Sequence, residues 1–435
     1  MASSVAGQPA PSQGRRVRSI IGGSAGNLVE WYDWYAYSAF TLYFAPQIFP
    51  AADKTTELLT AALVFMGGFL IRPIGAWAMG VYSDRNGRKA GLALSVTLMC
   101  AGSLIIAACP TYAQIGWGAP LVVTIARLLQ GLSVGGEYGA GATYLSEIAG
   151  KRHRGFFASF QYVTLISGQL VAILLLLVLQ QLMSETALEA WGWRIPFVIG
   201  GVLAVSVYWL RRGLMETESF TKLAAAGDVK RSGLLPLLRE HPRETVTVML
   251  LTGGGTLAFY AYSIYMQKFL VDTSGFGRDV ASRINAGSLI VFMLLQPAVG
   301  ALSDRIGRKP VLIAFGIAGT LLTYPIFSAL AATRDAWTAF LIVTGALVIV
   351  SGYSAISGVL KAEMFPAHIR TLGVALPYAI ANAIFGGTAE TLALSLKKAG
   401  WAQGFYWYVT VMIAATLLTA LTMRDTRANS RIVED

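Results

Sequence analysis

Charge is what this chain has least of. Only 13% of its 435 residues are Asp, Glu, Lys or Arg, where a soluble domain carries roughly a quarter. Cysteine is almost absent: Cys100 and Cys109 are the two, on one predicted helix. At 1.5 Å per residue they stand roughly 13 Å apart, too far for a disulfide. The three histidines, His153, His241 and His368, fall in polar loops, so no metal cluster is visible and no cofactor is expected. There is no GxxxxGK[ST] stretch, and the central polar segment is too short for an ATPase domain, which excludes a nucleotide-driven pump. An enzyme would need a catalytic set within the spans, and none is present. No cleavable signal stands out; the first apolar segment is interrupted by acids and is expected to stay as a span.

Apolar length takes the place of charge. Hydrophobic residues make up 55%, mean hydropathy is +0.58 and glycine numbers 46, as expected where membrane helices pack closely. Windows such as AFLIVTGALVIVSGYSAISGVL have the roughly 20 residues that cross about 30 Å of hydrocarbon. The pattern predicts an all-α polytopic membrane protein. Its twelve spans lie near 20–44, 58–82, 90–109, 119–142, 156–182, 191–211, 244–270, 284–303, 310–331, 337–361, 370–396 and 403–423. A net charge of +11 would suggest nucleic acid in a soluble protein. Here the cations gather in alternate loops, among them Arg15, Arg16 and Arg18, then Lys151, Arg152 and Arg154, then Arg424, Arg427 and Arg431. That asymmetry places both termini in the cytoplasm and removes nucleic acid as a partner.

The chain repeats itself. GVYSDRNGRKA from Gly80 returns as GALSDRIGRKP from Gly300, and YLSEIAGKRHRG is echoed by LKAEMFPAHIRTLG. Two matches in the same order imply two similar six-helix halves. The expected divisions are a disordered cytoplasmic tail at 1–17, halves at 18–211 and 244–423, a central cytoplasmic loop at 212–243 and a tail at 424–435. Each turn motif carries an acid, Asp84 or Asp304, with Gly80, Gly87, Arg88 and Lys89 in the first copy and Arg308 in the second. Glycine allows the sharp turn. Acid–arginine pairs there would hold the halves together on the cytoplasmic side and break on switching; simple anchoring at the headgroups is the competing reading.

These turns resemble the signature of the major facilitator superfamily. RLLQGLSVGGEYG at Arg127–Gly139 is similar to that superfamily's fourth-helix motif. SAGNLVEWYDWYAYS, GFLIRPIGAW, WGWRIPF and KAEMFPAHIRTLGVALPYAIANAIFGG together resemble its metabolite:proton symporter family, from about residue 18 to 423. One departure is Asn86, where relatives carry His, so a loop histidine is not required for coupling here or its role has moved. The resemblance implies a monomeric, proton-coupled symporter in a bacterial inner membrane. By alternating access it would import 2-oxoglutarate or a similar dicarboxylate. Citrate, a shikimate-like acid or a zwitterionic osmolyte are the alternatives. An osmolyte carrier would favour an aromatic cage and a long C-terminal extension, and the tail RDTRANSRIVED has no heptads. A non-transporting nutrient sensor would need an added signalling segment, which tails of about 18 and 12 residues do not supply.

Polar residues inside spans then become candidates, because each is costly in lipid and normally faces a cavity or a partner. In the first span, Asn27, Glu30, Asp33 and Tyr37 are expected to share a cavity-facing side, with Trp31 and Tyr35 packing elsewhere. Asp33 or Glu30 is the expected proton carrier, then Glu137; fixed pairs with Arg127 or Arg72 are the alternative. Arg127 resembles the fourth-helix arginine associated with proton coupling. For the substrate, Arg72 lies deep in the second span, and arginine grips a carboxylate with two parallel hydrogen bonds. Lys361 extends a polar row with Ser354 and Ser357, with snorkelling to the headgroups as the competing reading; Lys268 reads better as a lysine snorkelling at the outer end. Tyr37, Gln161, Tyr162 and Asn382 complete the pocket candidates. Glu390 has no assignment.

Overall fold

The computed structural model describes residues 13–86, 88–134, 138, 142, 143, 145, 146, 152–212, 234–366 and 369–432, with side chains except at 13–26, 80, 81, 83–93 and 207–212. The predicted Glu137 and Gly87, and the tail before residue 13, lie outside the described residues. So do the side chains of Asp84, Arg88 and Lys89.

All regular structure among the described residues is helical. In the first half these are α1 (Gln13–Ile48), α2 (Lys54–Leu70 continued by Arg72–Asn86), α3 (Arg88–Ala108), α4 (Gly118–Val134), α5 (Arg154–Leu182) and α6 (Ile195–Arg212). In the second half, α7 joins Pro242–Ser263 to Tyr265–Asp272, and α8 (Arg278–Ile306), α9 (Arg308–Ala332) and α12 (Gln403–Thr422) are continuous. α10 pairs Ala336–Ser354 with Ser357–Ala362, and α11 strings Arg370–Ala381, a π turn at Asn382–Gly386 and Ala389–Lys398. Seven of these runs are long and apolar enough to cross a membrane; α7, bent by 48° at Ile264, makes an eighth, and three shorter apolar helices lie in α3, α4 and α6. With α1 they account for the twelve predicted spans. Bulky side chains point outward, Trp77 at 72% exposure and Trp117 at 79%; in water such a surface would aggregate, and in lipid it is solvated. At loop ends the rules are those of soluble proteins. Asp335 caps α10 by accepting from the Thr338 N–H at 2.7 Å, and hydrogen bonding from Thr338 holds its carboxyl below the usual range.

The helix pairing repeats. α1 packs on α5, α3 on α4 and α6; α7 packs on α11, α9 on α10 and α12. Between the halves, α5 meets α8 and α2 meets α11, as a two-fold relation between the repeats requires. The α5–α8 crossing is close because it is built on glycine. A Cβ on Gly155 would lie 2.5 Å from the Gly300 carbonyl oxygen, with Ser303 Oγ equally near. Gly155→Val should therefore push the halves apart, at about 1–3 kcal/mol for overpacking. The expected result is a lower Tm in detergent together with reduced uptake; an unchanged Tm would show that the crossing is loose.

Helix breaks position the polar candidates. Arg72 follows the interruption of α2 at Ile71, with Pro73 unable to supply an N–H. Asn382 opens the π turn of α11, after Pro377. Lys361 lies on the short helix after α10 breaks at Ala355–Ile356. Broken helices at membrane depth are tolerated where backbone lines a cavity or is buried in protein.

Candidate functional site

A cavity lies between the halves. α1 contributes Asn27, Glu30 and Trp31, α2 contributes Arg72, and Val134 and Tyr138 close it from the α4 side. Opposite stand Ala375, Tyr378, Ala379 and Asn382 of α11. The centre of a water molecule can move within about 20 Å³ of it, room for one or two waters. A five-carbon diacid does not fit until the walls move.

Arg72 is the dominant charge there. It is 4% exposed, and its guanidinium carbon lies 3.9 Å from the Phe69 ring centre, 4.0 Å from Trp34 and 5.5 Å from Trp31. Nε and Nη2 have no hydrogen-bond partner. These two N–H groups form the edge that a carboxylate takes with both oxygens. Around them stand the hydroxyls of Tyr260 and Tyr378, and Glu30. Asn382, also buried, has neither amide atom bonded, and Tyr260 lies beside both it and Arg72. Arg72 and Asn382 are the cavity-lining residues that carry such unbonded atoms among the described residues; Arg127, away from the cavity, has the same edge unbonded.

The α1 face differs from the expected one. Asn27 and Glu30 line the cavity, and so does Trp31, which was assigned to packing. Asp33 does not. Six residues advance a helix by about 600°, which turns Asp33 roughly a third of a turn away from Asn27. Its carboxylate, 1% exposed, accepts hydrogen bonds from Ser103 Oγ on α3 and Gln130 Nε2 on α4, beside Gly200 of α6. Gln130 Oε1 in turn accepts from Arg127 Nη1 at 2.8 Å. Arg127, fully buried, packs its guanidinium 3.9 Å from Trp34 and 4.5 Å from Tyr37. Arginine and acid are thus linked through an amide inside the first half. Tyr37 donates to the Ala61 carbonyl at 2.9 Å and faces Phe65, away from the cavity.

Lys361 is 0% exposed, so it does not snorkel. Its ammonium donates to Ser357 Oγ at 2.8 Å and the Tyr353 hydroxyl at 3.3 Å. Tyr162 packs edge-on to Phe259, centroids 5.6 Å apart, among the tyrosines near the cavity. Gln161 is buried beside it. Neither reaches the cavity wall. Among the described residues no His/Cys/Asp/Glu group could hold a metal ion.

The pattern of the sugar (and other) transporter family matches residues 20–224 and 217–431 of this chain. The chain belongs to that family, within the major facilitator superfamily. The alpha-ketoglutarate permease of Escherichia coli (strain K12) is 52% identical over 409 residues, 94% of each chain. The citrate-proton symporter of Salmonella typhi is 34% identical, covering 90% of this chain and 89% of its own. A crystal structure of a D-xylose-proton symporter superposes with a TM-score of 0.74 at 19% identity, over 95% of this chain and 99% of that one; at that identity the likeness is one of fold.

In this transporter the second turn motif joins the halves. Asp304 of α8 accepts from the backbone N–H groups of Gly155 (2.8 Å) and Phe156 (2.9 Å) at the start of α5. Anions are favoured at helix N-termini. Arg308 holds the same carboxylate at 2.8 Å and reaches Glu363 at 3.3 Å. Gly307, at φ 101°, makes the turn between α8 and α9. The C-terminal segment completes this layer: Thr426 Oγ1 donates to Glu363 at 2.6 Å, and Arg370 donates to the Arg431 carbonyl at 3.0 Å.

The end of the bundle away from the Asp304 turn holds a pair that sequence reading missed. Lys268, 2% exposed, lies 2.7 Å from both oxygens of Glu390, 4% exposed, and 3.0 Å from Ser38 Oγ of α1. It does not snorkel. Lys397 binds Asp272 at 2.8 Å with the charges exchanged between the same two segments. No spacing along the chain links 268 to 390. The available signal was an unexplained acid and an unexplained base on helices α7 and α11, equivalent to α1 and α5 of the first half.

Proposed function

We propose that this transporter imports a dicarboxylate, 2-oxoglutarate foremost, together with a proton. The observation that carries the reading is Arg72: a buried guanidinium whose carboxylate-binding edge is unbonded, at a cavity between two halves. Asn382 and the Tyr260 hydroxyl supply neutral donors for a keto or second carboxylate oxygen. Lys361 is the cation for the far end of a dianion. The permease of 52% identity supports the substrate class.

Alternating access follows from two repeats rocking about the cavity. The halves at 18–211 and 244–423 are the moving bodies, and the Asp304–α5 contacts are cytoplasmic ties that break on inward opening, while the Arg308–Glu363 pair, inside the second half, holds Arg308 against Asp304. The first-copy residues Gly80, Asp84, Gly87, Arg88 and Lys89 are assigned the same role by symmetry. Asp33 is assigned the coupling proton. Burial disfavours its charged form and the bonds from Ser103 and Gln130 favour it, so the two protonation states compete. Arg127 senses the change through Gln130. Glu30 faces the substrate, and neutralising it would lower the repulsion felt by a dianion; Glu137 is third. The proposed setting is a bacterial inner membrane, with a monomer in the bilayer and both termini cytoplasmic.

The test is uptake of labelled 2-oxoglutarate into proteoliposomes in sodium-free buffer. An imposed inward proton gradient should drive accumulation of about tenfold or more, since a tenfold ratio costs only about 1.4 kcal/mol. A protonophore should collapse it. Binding without gradient-driven accumulation would remove the proton; no binding would redirect the substrate to citrate or another acid.

A further inference from the structure

On one side the cavity ends at two tyrosine rings. Tyr138, beyond α4, and Tyr378, on α11, stack face to face with centroids 3.6 Å apart and planes at 9°. One ring comes from each half, so any rocking of the halves acts on this contact. The Tyr138 hydroxyl lies 3.4 Å from Ser357 Oγ, beside the Lys361 ammonium. Both rings line the cavity, and Lys361 does not.

Lys361 sits against the same two rings. Its ammonium lies 4.4 Å from the Tyr378 ring centre and 5.4 Å from that of Tyr138. Among the described residues it also meets the Ser357 hydroxyl and both the hydroxyl and the ring of Tyr353, the ring centre 5.6 Å away. No carboxylate among the described residues forms an ion pair with it. A fully buried ammonium held by rings and hydroxyls is less well compensated than one paired with a carboxylate. The two cations at this site are therefore unequal: Arg72 opens on the cavity, and Lys361 is screened from it by the stack.

We propose that the Tyr138–Tyr378 stack determines selectivity for dianions, by screening Lys361 until a second carboxylate parts the rings and replaces them at the ammonium. This rests on the carboxylate reading of the Arg72 cavity. A monoanion engages Arg72 and gains nothing at the stack. A diacid of sufficient length exchanges two ring–cation contacts for an ion pair, which offsets the lost stacking. Parting the rings also enlarges the cavity, which is too small for such a substrate as it stands.

The experiment compares binding of 2-oxoglutarate with 2-oxovalerate, which carries a methyl group in place of the distal carboxylate, to the purified full chain in nanodiscs. Wild type should prefer the diacid by about 30-fold, the value of one charged hydrogen-bonded contact. In Lys361→Met that preference should fall to about threefold or less, with 2-oxovalerate affinity retained. Tyr378→Ala, which removes the partition and keeps the ammonium, should bind the diacid with an association rate raised about fivefold or more, as expected when a conformational step is removed. An undiminished preference in Lys361→Met, or an unaltered association rate in Tyr378→Ala, overturns the proposal. Should Lys361→Met fail to fold, the Tyr378→Ala rate decides alone. Wild type that binds both acids equally also overturns it while leaving the carboxylate reading intact; wild type that binds neither refutes that reading itself.

Discussion

Arg72→Ala is expected to weaken 2-oxoglutarate binding by about 100-fold or more, because two hydrogen bonds to a charged group contribute about 1.5–3 kcal/mol each. The unbonded Nε and Nη2 atoms lie on one edge of the guanidinium, and a carboxylate meets that edge with both oxygens. Arg72→Lys should restore little, since an ammonium is a point charge without the planar fork. A different account of Arg72 is that it serves the fold, wedged among Phe69, Trp34 and Trp31. The two accounts separate on one pair of measurements, Kd by calorimetry and Tm in the same detergent. Lost affinity at a nearly constant Tm supports the substrate role. A lowered Tm with intact affinity would make Arg72 an aromatic-cluster residue and move the anion site elsewhere.

Asp33→Asn should reduce gradient-driven accumulation from about tenfold to about onefold while leaving downhill exchange of labelled for unlabelled substrate in place, since a proton carrier contributes only where a gradient does work. The substitution keeps shape, and an Asn at this position can still accept from Ser103 or from Gln130, though its single oxygen does not serve both. What it loses is the ability to gain and release a proton beside the Gln130–Arg127 link. Because Asp33 lies outside the cavity wall, substrate affinity should change little. Continued accumulation in Asp33→Asn would transfer the proton to Glu30, whose carboxylate lines the cavity. Loss of exchange as well would indicate that Asp33 holds α1 against α3, α4 and α6 rather than carrying charge.

The repeat itself explains why the fold was readable. A span needs only enough consecutive apolar residues to cover the bilayer, and that property is local to the chain. So Leu94–Ala108, Gly118–Val134 and their neighbours appear where hydropathy places them. The second copy of the turn motif likewise has its turn at Gly307, where glycine is needed. The proposed anion site was partly readable for the same reason: Arg72 next to Pro73 marks both a charge and a helix break.

What the chain determined by itself was the number of spans, the duplication and the cost of each buried charge. Tertiary structure decided which way those charges point and what they touch. Rotation and depth of a membrane helix are set by packing against other helices, and hydropathy carries little of that information. Asp33 and Glu30 are three residues apart and equally acidic, yet one turns toward Ser103 and Gln130 and the other toward Arg72. Lys268 looked like an interfacial lysine until the bend in α7 and the break in α11 brought Glu390 to its ammonium. Tyr138 and Tyr378 meet only because the two halves close on each other, a contact between residues 240 positions apart that no periodicity along either helix encodes.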